Sequence, residues 1–329
     1  MNDLLITNRS LSESEMKSAM MAIMNGECLS EDIEVFLTEM ASRGETVDEI
    51  TGAARILRQK AKTINAPDDA IDCCGTGGDG VGTYNISTAV AIIAAACGIP
   101  IAKHGNRSAS SKSGAADVLE ALNINLEVSH ERLESALDKL NFCFLMAPHH
   151  HSAMKHVVPV RKKLGFRTIF NLLGPLANPA GTKNQLIGVF DKKWLEPIAQ
   201  TLARLGSEQA WIVHGSDGLD EITSTDETDV VRLKDDNIDQ FKLTPELLGL
   251  EKADTKELLG GDAKTNAKAL MELLEGSPSA YRNIVLANTA AVINIHNQMD
   301  LKEAVNIAAK AIDEGRALEI LNQYRECVA

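Results

Sequence analysis

Apolar positions in the first sixty residues recur at helical spacing. Met16, Met20 and Met24 fall four apart with Ile23 beside them, a stripe that suits core packing or a subunit interface. Ser12 with Glu15, and Thr46 with Glu49, fit the capping box, in which each side chain satisfies an amide left free in the first helical turn. Three short helices are expected here. After the turn at Pro67 the period changes, and short apolar runs alternate with longer helical ones, the mark of βα units and a mainly parallel sheet. Strands are expected over 70–74, 99–103, 141–148, 186–190 and 209–214, with 228–233 pairing as a further strand. Helices are expected over 87–97, 114–122 and 195–205, and helical periodicity returns from 263, near 279–297 and 301–313, with a break at Gly315. The fold class is therefore α/β: a large domain over 67–329, its mainly parallel sheet flanked by helices, plus a small all-helical domain over 1–66.

Composition narrows the partners. Apolar residues make up 44% of the 329, and no run approaches the roughly 18 residues of a membrane span. Residues 1–10 lack the basic and apolar regions of a secretory signal, so a cytoplasmic location is expected. Six scattered cysteines read as reduced, mostly buried thiols, and none forms a zinc-type spacing. His149, His150 and His151 should point their rings in different directions, as an ordinary loop. A net charge of −13 repels nucleic acid and anionic membranes, and neither is an expected partner. Yet residues 139–190 contain no Asp or Glu while holding Lys139, Lys155, Arg161, Lys162, Lys163, Arg167 and Lys183. Such a stretch in an acidic chain points to a small anion.

Gly75-Thr76-Gly77-Gly78-Asp79-Gly80 has the spelling of a dinucleotide-binding loop, but its context differs. The next helix start, at 85–88, comes several residues too late, and Lys103 and His104 stand where a ribose-binding acid belongs. Val81 occupies the lysine position of a P-loop. A lone glycine cluster is equally a tight turn. The coupled Asn85-Ile86-Ser87-Thr88, opening a helix with free amides, favours phosphate. Lys103 to Arg107, and the hydroxyls and lysine before Gly114, add cations and donors at the end of the next strand. Asp220 and Glu221 follow the strand over 209–214 through a Gly-Ser-Asp-Gly turn. Adjacent carboxylates suit Mg²⁺ bridging to a diphosphate, and with Asp217, Asp226, Glu227 and Asp229 nearby a solvated acidic loop is the competing reading.

Taken in order, GTGGDG, NIST, KHGNR, SSKSG, PVRKKLGFRTIFNLLGPLANPA and DGLDE resemble the anthranilate phosphoribosyltransferase family. The resemblance implies a homodimeric enzyme of tryptophan biosynthesis with a class II nucleoside phosphorylase-like large domain. Part of 152–180 would join the small helical domain. The implied reaction moves 5-phosphoribosyl from phosphoribosyl diphosphate to the amine of anthranilate, giving N-(5-phosphoribosyl)anthranilate and diphosphate. By position, Gly75, Gly78, Asp79, Asn85, Ser87, Thr88 and Lys103 match the residues for phosphoribosyl diphosphate, with Thr83, Ile86, Asn106, Arg107, Ser111 and Ala115 joining that site. Ser87, Asp220 and Glu221 match Mg²⁺ ligands, and Gly75, His104, Asn106 and Arg161 match residues near anthranilate. Departures are few: Ala115 stands where the family has Ser, Ser152 where Pro is common, and Cys73 and Cys74 where apolar residues are typical. An aniline nitrogen is neutral at pH 7, so no residue is assigned as an essential general base. Two other readings remain: a class II pyrimidine nucleoside phosphorylase, whose pattern lacks KHGNR and the Asp-Glu pair, and a nucleic-acid-binding protein on the same fold. Whether an anthranilate synthase subunit associates is left open.

Overall fold

Three helices open the chain, α1 (Glu13–Asn25), α2 (Ser30–Arg43) and α3 (Val47–Lys60), in a computed structural model that describes Leu5 and residues 9–108 and 112–329. Both capping boxes form: the Ser12 and Thr46 amides each donate to the glutamate three residues on, at 2.9 Å. Glu49 also accepts from the Leu11 amide and pairs with Arg43, so one buried carboxylate caps α3 and ties it to the chain before α1. Met16, Met20 and Met24 are buried in the core these helices share.

A seven-stranded sheet follows in the order β3-β2-β1-β4-β5-β6-β7. Its strands are β1 (Ile71–Cys73), β2 (Ile101–Gly105), β3 (Phe142–Met146), β4 (Asn184–Gly188), β5 (Gln209–Gly215), β6 (Thr228–Lys234) and β7 (Asn237–Leu243). The first five run parallel and the last two pair antiparallel. Along the strands, neighbouring residues serve opposite faces. Leu186, Trp211 and Val230 enter one core and Ile187, Ile212 and Val231 the other.

The helices linking β1 to β4 are α4 (Ile86–Ala96), α5 (Ala115–Ala121), α6 (His130–Leu140), a helical turn α7 (Ala147–His150), α8 (Val158–Leu164) and α9 (Ile169–Leu173). The rest are α10 (Leu195–Arg204), α11 (Ala263–Leu274), α12 (Ala280–Asn297), α13 (Leu301–Asp313) and α14 (Arg316–Cys327). α4, almost wholly apolar, is covered on all sides by the sheet and α12 to α14. On the opposite face α2 packs on α8 and α3 on α9, and Arg58 donates to the Leu176 carbonyl at 2.7 Å. Among the described residues no helix is long and apolar enough to cross a membrane.

The differences from the sequence expectations have local causes. The strand expected over 186–190 lies two residues earlier because it opens on Asn184 and Gln185, buried polar residues; Gln185 donates to the Pro175 carbonyl at 2.7 Å. The strand expected over 141–148 stops at Met146, where Ala147 and Pro148 open the α7 turn. β7 was not expected, being an exposed and mostly polar edge; it is reached through Asp235 and Asp236, both at positive φ. The charged, amphipathic α6 was likewise not expected.

Candidate active site

β1 has β2 on one side and β4 on the other, with the chain running on to β2 from β1 and to β5 from β4. This is a switch point of strand order, where a crevice opens beyond the carboxyl ends. The glycine loop leaves β1 into that crevice. Gly77, Gly78 and Gly80 hold φ of 63°, 79° and 80°, values that L side chains disfavour. Thr76 pins the loop to β4: its amide donates to the Gly188 carbonyl at 2.8 Å and its hydroxyl accepts from the Phe190 amide at 3.0 Å. From the acid-free stretch, Arg167 donates to the Gly78 carbonyl and stacks 4.4 Å above the Phe190 ring.

The segment after β5 brings Asp220 to the same loop. Its carboxylate accepts from the Gly77 amide at 2.8 Å. Gly75 permits this approach, since a Cβ there would lie 2.7 Å from Asp220 Oδ2. Gly188 permits it more stringently, since its Cβ would sit 1.5 Å from the Asp220 carbonyl oxygen. Asn288 of α12 brackets the next residues, accepting from the Ile222 amide and donating to the Ile222 carbonyl, both at 2.9 Å. Burial, then Asp79, pushes the Asp220 carboxyl up to about 6. Burial, then Asp220, raises Glu221 well above the ordinary value, and burial raises Asp79 too.

Gly75, Ser87, Gly188, Glu221 and Asn288 line a cavity of about 10 Å³, room for one water-sized occupant. Cys73, Val90 and Leu186 complete the cavity wall and Asp220 stands next to Glu221 in sequence; the Asp220 and Glu221 carboxylates and the Ser87 hydroxyl offer oxygen donors only. That set fits a hard divalent cation such as Mg²⁺, which keeps several waters of its own.

Lys103 was expected at the end of its strand beside the glycine loop, and the structure places it there, beneath the loop. It is 2% exposed, and Nζ donates to the Cys73 carbonyl at 2.7 Å and to Ser87 Oγ at 3.2 Å. Burial pulls its pKa down, yet Cys73, Cys74, Asp72 and Glu221 outweigh that and leave it raised. Lys103 is thus a fixed positive charge under Ser87. Asn85 caps α4 through its backbone; its side chain accepts from Asn266 at 2.8 Å and its carbonyl from the Tyr281 hydroxyl at 3.0 Å. Ile86 and Thr88 are buried behind it, and Thr83 bridges to Leu259.

His104, next to last in β2, lies on the other side of the crevice, 4% exposed, with Nδ1 3.1 Å from the Gly174 carbonyl. Burial, then His151, pushes its pKa down to about 3, and burial brings His151 down to about 4. The two rings lie 5.2 Å apart. The histidine cluster does diverge: His149 meets Glu127, and His150 meets the Lys62 carbonyl and stacks on His130. Arg161 lies 5.6 Å from the Phe170 ring centre, and burial lowers its pKa. Arg107 turns to α5, pairing with Glu120 and Asp117, so the structure does not bring its guanidinium to the glycine loop. Asn106 accepts from the Arg107 amide at 2.8 Å, and Ala115 opens α5. Ser111 lies outside the described residues.

Sequence reasoning missed Arg167, His151 and Gly188. Arg167 was visible as one basic residue of the acid-free stretch, and His151 as part of a cluster after a strand. Gly188 gave no signal, because its constraint comes from a residue 32 positions away in sequence, Asp220.

Comparison with known proteins places this geometry. The glycosyl transferase family helical bundle domain matches residues 3–61, and the glycosyl transferase family a/b domain matches residues 67–318. The chain is 54% identical over 312 residues to an anthranilate phosphoribosyltransferase of Azospirillum brasilense, covering 94% of this chain and 87% of that one. Its structure is similar to that of the Thermus thermophilus anthranilate phosphoribosyltransferase, with a TM-score of 0.94 at 39% identity, covering 99% of this chain and 98% of the other. The Saccharomyces cerevisiae anthranilate phosphoribosyltransferase in complex with PRPP and Mg gives a TM-score of 0.91 at 28% identity, covering 99% and 96%. With both domains matched and that identity sustained along nearly its whole length, the chain belongs to the anthranilate phosphoribosyltransferase family.

Proposed function

We propose that the chain transfers 5-phosphoribosyl from phosphoribosyl diphosphate to the amine of anthranilate, releasing diphosphate, as a step of tryptophan biosynthesis. The observation that carries this reading is the 2.8 Å contact between Asp220 and the Gly77 amide, which joins a seat for phosphate oxygens to a seat for a divalent cation. Ser87, Asp220 and Glu221 would hold Mg²⁺, which when bound neutralises charge growing on the leaving diphosphate. Gly75, Gly78 and Asp79, with the first turn of α4 at Asn85 to Thr88, line the diphosphate side. Thr83, Ile86 and Ala115 contribute through backbone, and Lys103 fixes a positive charge below. Arg107 must leave Glu120 to reach a phosphate.

Gly75, His104, Asn106 and Arg161 hold anthranilate, the planar Arg161 fork matching its carboxylate. The amine lone pair forms the new C–N bond at the anomeric carbon as the bond to diphosphate breaks with its electron pair. The amine then sheds one proton to solvent. Charge separation in this step makes electrostatic stabilisation and alignment the main contributions. Exposed Leu29, Val35 and Val158, on and beside α2 and α8, support a homodimer through the helical face.

His104, with its pKa held near 3, is a poor proton acceptor, so it orients rather than deprotonates. His104→Asn should lower kcat by less than about 10-fold, below the usual contribution of a general base. A kcat at background with substrate affinity intact contradicts that role. Arg167→Ala should raise KM for phosphoribosyl diphosphate by about 10-fold with a smaller change in kcat, because the loop loses a charge-assisted clamp. Initial rates at varied substrate check this. Substrate selectivity tests the reading as a whole: anthranilate with phosphoribosyl diphosphate should turn over, and thymidine or uridine with phosphate should not. Phosphorolysis without transfer overturns it.

A further inference from the structure

Apart from the Asp220 and Glu221 pair, Asp72 on β1, Cys74 just past its end and His104 on β2 each bring a donor atom within 4.8 Å of the other two. Among the described residues no other group of three or more His, Cys, Asp and Glu side chains does so. The strand geometry explains the cluster. Asp72 and Cys74 stand two apart and so share a face, while the His104 backbone amide donates to Asp72 Oδ1 at 3.1 Å across the pair β1 and β2.

Two buried atoms in this group lack partners. Asp72 is 0% exposed and its Oδ2 has no hydrogen bond; His104 is 4% exposed and its Nε2 has none. Buried polar atoms are nearly always satisfied, so an unpaired carboxylate oxygen and imidazole nitrogen together mark a place for a bound water or a cation, the latter having to sit beside the charge of Lys103. Cys74 is half-buried as a residue, but its thiol lies 3.6 Å from the Gly75 carbonyl, where burial pushes its pKa well up, so a metal must draw off the proton that burial retains.

We propose that Asp72, Cys74 and His104 form a second metal site, taking a thiophilic divalent ion of the Zn²⁺ type in place of Mg²⁺. One sulfur, one nitrogen and one oxygen donor is a zinc set; Mg²⁺ requires oxygens in near-octahedral array. The His104 Nδ1 contact with the Gly174 carbonyl is the orienting hydrogen bond that metal-bound imidazoles generally make. Usual bond lengths give tetrahedral edges of roughly 3.3 to 3.7 Å, so donors that lie within 4.8 Å of one another need close by no more than about 1.5 Å. On binding, the Cys74 thiol loses its proton to solvent and water fills the fourth position. Occupancy takes His104 away from anthranilate, so Zn²⁺ would inhibit transfer. That consequence rests on the proposed function; the binding site itself does not.

The test is therefore spectroscopic and uses no substrate. The metal-free full-length protein is titrated with Co²⁺, and a thiolate-to-cobalt charge-transfer band in the near ultraviolet is followed. The band should saturate at one equivalent, yield to Zn²⁺ and persist with Mg²⁺. Cys74→Val should abolish it while keeping the native circular dichroism, Cys73→Val should keep it, and Cys74→Ser provides a second variant without the thiolate. No thiolate band in the native protein, or a band that survives in Cys74→Val or Cys74→Ser, overturns the proposal.

Discussion

Glu221→Gln should lower kcat/KM for phosphoribosyl transfer by about 10²- to 10³-fold, the usual cost of removing one preorganised electrostatic group. The substitution keeps shape and removes charge. Glu221 lines the cavity with Ser87, and although burial and Asp220 raise its pKa, the charge of Lys103 favours the ionised form that a divalent cation needs. Rates measured across a Mg²⁺ titration should show the loss even at saturating metal, and unchanged kcat/KM contradicts the assignment.

The same carboxylates predict a pH effect with a definite sign. Asp220, raised from 3.8 to about 6, binds its proton more tightly in the fold than in the unfolded chain. Between those values the metal-free protein loses stability as pH rises, because ionisation is disfavoured in the fold. Mg²⁺ binds the ionised form, so the melting temperature should rise more on adding Mg²⁺ at pH about 8 than at about 5.

Gly188→Ala should lower kcat/KM by about 100-fold or more and destabilise the protein by about 1 to 3 kcal/mol, the range for forced overpacking. Its Cβ would lie 1.5 Å from the Asp220 carbonyl oxygen and 2.4 Å from the carbonyl carbon. Both are backbone atoms, so no rotamer change relieves the clash, and the Asp220 and Glu221 segment must shift bodily. Gly75→Ala is the informative contrast. Its Cβ first meets the Asp220 carboxylate, at 2.7 Å, which can rotate away. It should therefore cost activity with little stability. Thermal melts and kcat/KM on both variants separate the cases, and equal stability losses contradict the geometry.

The Glu221 and Gly188 substitutions fall where sequence reading stops. The capping boxes at Ser12 and Thr46, the apolar α4 and the glycine loop were legible because their signals are local: residue type, period and turn chemistry. The Asp220 and Glu221 pair was legible as chemistry but not as a partner of Gly75, which requires β4 and β5 to lie side by side. Gly188 was invisible for the same reason. Arg167 reaches Gly78 across 89 residues, and only packing reveals it. Depth was also hidden. Lys103 closes its expected strand as a surface lysine would, yet it is buried beneath the glycine loop, and Arg107 satisfies itself on α5. Gln185 broke the apolar pattern of β4 because its amide is paired inside the protein.

In the proposed reaction diphosphate leaves only when the amine is in place. The direct measurement is diphosphate release by the full-length protein, with phosphoribosyl diphosphate and anthranilate each present or omitted and Mg²⁺ supplied or chelated. One diphosphate released per anthranilate consumed, with both substrates and Mg²⁺ required, is the predicted result. Diphosphate release that ignores anthranilate, or none under any of these conditions, would contradict it.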